Sequence, residues 1–319
     1  MRWLEVISPG LLTTVQDRGR YGVAHLGVPA SGPMDLIAFR LANAVVGNDA
    51  ECAALELTAL GGRYRVMGGE CILCLGGAVE AQVEGRVLEP WVAHRLAAGS
   101  ELMIGRLQRG LRAYLAVAGG VDVVPVLGSR ATLTRASLGG LDGQALAKGD
   151  RLPLGEPADI GRRRCSHAQL TSLYSSGPLC VVMGPQQAAF TQASLLTFLH
   201  GRYRVSVHAD RMGYRMAGPA LAHLHGADMV SDAVVPGSIQ VPGNGQPIIA
   251  LHDRQTTGGY PKIATVIGAD LPRVGQLRPG QSVAFRAIAV AEGVARWRRL
   301  QEGIATCLQH IQSTEVSWL

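Results

Sequence analysis

Lysine is almost absent from this chain: of 30 basic residues, only Lys148 and Lys262 are lysine. The formal charge of +6 is carried by arginines spread over every segment. The densest run, Arg162-Arg163-Arg164, has no aromatic residues interleaved, and aromatics total only 5%. A nucleic-acid partner needs both features, so none is expected. No apolar run approaches the ~20 residues that span a bilayer. The N-terminus, MRWLEVISPG, lacks the apolar core of a signal peptide. No membrane association is expected, and a cytoplasmic location is. Cysteine is sparse too, at positions 52, 71, 74, 165, 180 and 307. The one CxxC, Cys71 to Cys74, lies in an apolar run without a second ligand pair, whereas zinc takes four ligands. These thiols read as small buried apolar groups, and no metal is expected. Phosphate-loop, dinucleotide-fold, GxSxG and HExxH motifs are all missing.

What is abundant is glycine, 41 residues, with 16 prolines. Short apolar stretches end at turn residues at close intervals, the cadence of barrels and sandwiches. The first two, RWLEVIS and LLTTV, are followed by RYRVMG, CILCLGG, EAQVEG, ELMIG and RAYLAVAGG. A second series contains LCVVMG, RYRVSVHA, GSIQVPG, QPIIALHD, KIATVIGA and SVAFRAIAV. Three phrases echo each other: LAAGSELMI from 96, LAKGDRLPL from 146 and LRPGQSVAF from 277. Each predicts a tight turn with glycine at positive φ before a strand, and their recurrence points to two related β lobes.

Helical patterns are few. Residues 33–47 form one, with Gly32 expected as N-cap, Pro33 at the first position and Asp35 in the first turn. QQAAFTQASLLTFLHG is a second. Residues 290–312 form a third, with Trp297, Leu300, Ile304, Leu308 and Ile311 on one stripe. Periodicity is lost over 155–177. The expected organisation is an N-terminal lobe 1–160, a linker 161–177 and a C-terminal lobe 178–319.

Polar chemistry gathers in three long turns. The first, Thr14 to Asp35, carries Asp17, Ser31 and Asp35 before a helix whose N-terminus is a candidate anion site; a capped helix after a surface loop is the plainer reading. The second, His208 to Pro219, places Asp210 and Arg211 next to Tyr214, either to orient a ligand or as an ion pair at a hairpin. The third, Val234 to Val266, holds Asn244 and Gln246 in one turn. Its next loop holds Asp253, Gln255, Thr256, Thr257, Gly258, Gly259, Tyr260 and Lys262. That loop is longer than a chain reversal requires.

Together, TVQDRGRYG, GVPASGPMD, RLANAVVGNDAECAALELT, YLAVAGGVDVVPVLGSRAT, DRMGYRMAGP, VPGSIQVPGNGQPI and DRQTTGGYPKIA resemble the KipA-type family. Its members are also called allophanate-hydrolase-subunit-2-like or biotin-dependent-carboxyltransferase-like, and the C subunits of bacterial 5-oxoprolinases belong to it. The resemblance covers residues 4–288. It implies a mainly β fold of two tandem cyclophilin-like β-barrel lobes with a few flanking helices. It also implies two protein partners, one KipI-like and one LamB/YcsF-like, and ATP-dependent opening of a lactam, 5-oxoproline, to glutamate. ATP is then expected to be shared with one of those partners.

Two alternatives stay open: a regulatory protein binding a KipI-like kinase inhibitor, or a carboxyltransferase acting on urea or a related amide with a separate biotin protein. For amide chemistry the expected catalytic set is Asp253 or Asp210 as base and Arg211, Lys262 and the Gly258-Gly259 backbone as donors. Tyr260 and Gln255 are expected to align the amide. Pairing of Lys262 with Asp253 is the structural alternative. All three turns are expected to share one cleft.

Overall fold

The computed structural model describes residues 1–158 and 161–313. The expected boundary at residue 160 and the chain end at 319 lie outside the described residues. The fold is mainly β with a few helices, and its two large sheets are a half-barrel and a nearly closed barrel. The chain divides into two compact units. One holds residues 1–20, 31–173 and 303–319; the other holds 21–30 and 174–302.

The first unit is built from β1 (Trp3–Ser8), β2 (Leu12–Gln16), α1 (Leu36–Val45), β3 (Ala54–Thr58), β4 (Arg63–Met67) and β5 (Cys71–Val83). It continues with β6 (Arg86–Val87), β7 (His94–Leu96), β8 (Glu101–Val117), β9 (Arg151–Pro153) and α2 (His167–Ser172). The sheet runs β2-β3-β8-β4-β1-β9, with β5 antiparallel to β8 along most of its length. Leu4, Val15, Leu55, Leu73 and Leu115 lie fully buried at its centre. Each such side chain contributes about 1.5–3 kcal/mol by leaving water. Segment 161–177, expected as a linker, carries α2, whose Ser166 and Gln169 form a capping box.

CILCLGG and EAQVEG, expected as two strands, are one 13-residue strand; ELMIG and RAYLAVAGG are one of 17. Glycine in a strand marks a bulge or a close approach as readily as a turn. At Gly76 a Cβ would stand 2.7 Å from the Ala42 Cβ of α1, so glycine lets the helix settle on the sheet. The helix also begins later than expected. Asp35, not Gly32, is the N-cap, its Oδ1 accepting from the N–H groups of Ile37 and Ala38. Gly32 sits at φ +88 and donates its own N–H to Gln16 Oε1.

The second unit contains β10 (Leu179–Met183), α3 (Gln192–His200), β11 (Tyr203–Ala209), β12 (Gly213–Ala217), β13 (Asp232–Ala233), β14 (Ser238–Gln240) and β15 (Ile248–Ala250). After these come β16 (Thr257–Gly258), β17 (Lys262–Val266), α4 (Leu271–Gly275), β18 (Ser282–Val283), β19 (Phe285–Ala287) and the start of α5 (Val290–Ser313), whose residues from 303 on belong to the first unit. Its sheet runs β18-β11-β12-β15-β14-β17-β10-β19, while β13 and β16 form a separate two-stranded ribbon. Phe198 stacks on Phe285 at 4.6 Å, with Tyr203 beside them.

The three echoed phrases fold alike. Gly99, Gly149 and Gly280 all have φ near +90 and precede β8, β9 and β18 by two residues. Each donates its N–H to the carbonyl of a strand valine: Val66, Val6 and Val205 respectively. Each of those valines donates back to the carbonyl of the residue after the glycine. One sequence device thus builds the same two-bond clasp twice in the first unit and once in the second.

Candidate functional site

Strand register divides the polar residues of the second unit between two ends of its sheet. Gly213 of β12 pairs with Ala250 of β15, so Arg211 and Asp253 extend beyond the same end. Gln240 of β14 pairs with both Ile248 of β15 and Lys262 of β17, so Lys262 and the turn 241–247 lie at the opposite end. Residues 254–261 run between the two ends.

At the first end Arg211 grips Asp253. Nε donates to Oδ2 at 2.8 Å and Nη2 to Oδ1 at 3.1 Å, with both side chains buried. The Asp253 N–H also donates to the Arg211 carbonyl. Asp210 is exposed and closes the β11–β12 hairpin, accepting from Met212 and Gly213 N–H groups as short polar side chains do in turns. Arg254 follows, its Nε donating to the Val234 carbonyl at 2.9 Å. Burial draws its pKa down, while Asp253 and Tyr21 oppose that shift. Tyr21 belongs to the segment 21–30 that joins this unit.

At the other end Lys262, 4% exposed, donates from Nζ to Asp232 Oδ2 at 2.5 Å and to the Ala233 carbonyl at 2.7 Å. The alternative that Lys262 pairs with Asp253 is therefore corrected: each has a different partner, because the register sets them at opposite ends of the sheet. The Lys262 hydrogen bond holds the Asp232 carboxyl below its ordinary 3.8, helped by the Ala233 N–H and Gln186. Gln186 bridges the two, donating to Asp232 and accepting from the Lys262 backbone N–H.

Asp232 and Ala233 form β13, paired with Gly258 and Thr257 of β16. Bonds from Met229 N–H to the Gly259 carbonyl and from Val234 N–H to the Thr256 carbonyl extend this ribbon. Gln240, the register partner of Lys262, reaches the same ribbon: a Cβ on Gly258 would stand 2.5 Å from its Nε2. That Nε2 is buried and has no hydrogen-bond partner among the described residues.

Other expected residues serve the fold. Tyr214 is fully buried, its hydroxyl donating to the Gly275 carbonyl. Asn244 accepts from the Gln246 N–H, and Gln246 brackets the Gly218 backbone from both sides. In the first unit Asp17 pins the chain at Gly19, Ser129 and Arg130. Ser31 is buried at φ 55, and its Oγ has no hydrogen-bond partner among the described residues.

The helix N-terminus expected to take an anion is filled by the Asp35 carboxylate. The Asp35 N–H in turn donates to Tyr114, whose hydroxyl donates to Glu56. Gln255, Thr257 and Tyr260 are exposed on the loop, with Thr256, Gly258 and Gly259 half-buried. Asp232, Gln240, Gln186 and Arg254 were not among the expected site residues. Asp232 lies in GADMVSDAVVP, four residues after Asp228, and nothing in the sequence marks it out.

The fold is that of a carboxyltransferase-type domain. The chain belongs to the carboxyltransferase domain family, subdomains A and B, which matches residues 26–287. It is 39% identical to the C subunit of the Escherichia coli 5-oxoprolinase over 295 residues, 91% of this chain and 93% of that one. It is 32% identical to the C subunit of the Haemophilus influenzae 5-oxoprolinase, over 94% and 95% of the two chains. The crystal structure of Kluyveromyces lactis urea carboxylase superposes with a TM-score of 0.89 at 29% identity, over 99% of this chain and 30% of that one.

Proposed function

We propose that this chain is the C subunit of an ATP-dependent 5-oxoprolinase, a cyclic amide hydrolase that opens 5-oxo-L-proline to L-glutamate together with KipI-like and LamB/YcsF-like partner proteins. The observation that carries this reading is the 39% identity to the Escherichia coli C subunit, spanning nearly the whole of both chains. Likeness to a urea carboxylase fits the same chemistry, since a lactam and urea both present a resonance-stabilised amide.

In this reading the Lys262 ammonium polarises the amide carbonyl, a role for a buried donor aimed where negative charge develops. The Arg211–Asp253 pair, committed to itself by two bonds, positions the loop 253–262 from its other end. In this reading ATP is shared between this chain and one of the partner proteins. Asp35 caps α1 and Thr191 caps α3 with their own side chains.

The test is reconstitution with the KipI-like and LamB/YcsF-like partners, scoring glutamate released from 5-oxoproline with and without ATP. No ATP-dependent glutamate from the full complex overturns the reading. The urea carboxylase likeness favours one second reading, a carboxyltransferase using a separate biotin protein. That reading predicts urea-dependent consumption of carboxybiotin, blocked by avidin.

A further inference from the structure

An ammonium carries three N–H donors. Lys262 spends two of them, on Asp232 and on the Ala233 carbonyl. Its register partner Gln240 carries a buried amide nitrogen that makes no hydrogen bond among the described residues. The ladder shifts register between Ile239 and Gln240, so the common face of this pair is shown by where the two side chains end. Both side chains end at one rung of the ribbon: Lys262 at Asp232 and Ala233, Gln240 against Gly258, which pairs with Asp232. Glycine at 258 lets the Gln240 amide pack against the ribbon backbone, since a Cβ there would stand 2.5 Å from its Nε2 and 3.1 Å from Val234. Buried donors without partners are rare in folded proteins, because each forfeits its bonds to water.

From this we infer that Lys262 and Gln240 form a two-donor site for a single oxygen, roofed by the ribbon 229–234 and 256–259, and that its ligand is the carbonyl oxygen of a small amide. The identity of that amide as the lactam 5-oxoproline rests on the function proposed above; the site itself does not. Two fixed N–H donors, one of them charged, favour an oxygen that gains negative charge over a neutral one. The site therefore binds the activated amide more tightly than its ground state.

The experiment replaces Gln240 with methionine, which keeps the length and removes the donor. In the complex with the KipI-like and LamB/YcsF-like partners, kcat for glutamate release is expected to fall about 10²-fold with a much smaller change in KM. The melting midpoint of the chain should hold or rise, because the lost amide made no bond. Gln240→Glu, which sets a negative charge against the oxygen, should be slower still. An unchanged kcat in Gln240→Met overturns the inference.

If the unaltered complex releases no glutamate, the proposed function has failed and the site is judged by binding. The side-chain amide ¹⁵N signal of Gln240, assigned by its loss in the methionine variant, is followed while 5-oxoproline, 2-pyrrolidone or acetate is added. A saturable shift with either lactam supports the site. No shift with any of the three means that only a structural water meets these donors, and overturns it.

Discussion

Arg211 and Asp253, 42 residues apart, hold each other by two side-chain hydrogen bonds of 2.8 and 3.1 Å and a third between their backbones. The hairpin after β11 and the loop after β15 are thereby closed on each other before either can serve a ligand. With both side chains buried, the pair acts as a unit: neither charge is stable there without the other.

Removing one partner should show this directly. Arg211→Met leaves a carboxylate buried and unpaired, a loss of about 3–5 kcal/mol. Arg211→Met combined with Asp253→Leu should recover much of that loss, since no charge is then stranded. Urea unfolding of the two variants checks the ordering, and a double variant as unstable as the single would reject it.

The ribbon should loosen in acid. The folded-state pKa of Asp232 lies below its ordinary 3.8, so its pairing with Lys262 is fully present above that pH. It is lost as pH falls through the lower, folded value. Backbone amides of Met229 and Val234, both in ribbon bonds, should therefore stay protected from exchange at pH 5 and lose protection well below 3.8. Asp232→Asn should abolish that dependence. Protection that is already lost at pH 5 would contradict the assignment.

In the first unit, Tyr114 joins the head of α1 to the sheet, accepting from the Asp35 N–H at 2.8 Å and donating to Glu56 at 2.7 Å. Tyr114→Phe strands both groups and should cost about 1–3 kcal/mol. Asp35→Ala, which removes the helix cap, should cost about 1 kcal/mol. Thermal unfolding of the two variants tests whether the hydroxyl matters more than the cap.

Alkaline titration offers a further check. Burial pushes the Tyr64 phenol up to about 12, and burial with the nearby Glu56 carries Tyr114 well above 10. In the unfolded chain both ionise near 10, so their contribution is intact below pH 10 and declines as pH rises toward 12. Phenolate absorbance should thus lag behind that of free tyrosine and then rise together with the loss of far-UV structure. Smooth ionisation of every tyrosine near pH 10 in the folded protein would refute this.

Thiol chemistry follows the same logic. Cys71 and Cys165 are driven up to about 12 by burial, and Cys52 to about 11 by burial and Asp49. The thiolate is the reactive form. A disulfide reagent at pH 8 should label these three far more slowly in the native protein than in urea.

The β character, the turn before each echoed strand and the terminal helix were legible because they rest on local rules. LAAG, LAKG and LRPG each require glycine at φ near +90, whatever the rest of the chain does. Long strands were misread as pairs because Gly76 looks the same in sequence whether it turns the chain or admits Ala42 of α1. Among the polar residues, Arg211, Asp253 and Lys262 stood out by composition. Asp232 and Gln240 did not, because each matters only through a partner far along the chain.

Sequence by itself determined the family, the two series of short strands and the stretches where polar side chains gather, since hydrophobic period and turn chemistry act within a few residues. Tertiary structure alone decided which charge meets which. Lys262 faces Asp232 and not Asp253 because the pairing of β12, β14, β15 and β17 sets Lys262 and Asp253 at opposite ends of one sheet, while the separate β13–β16 ribbon brings Asp232 to Lys262. Register is a property of distant strands meeting, and a shift of one residue turns every side chain to the other face.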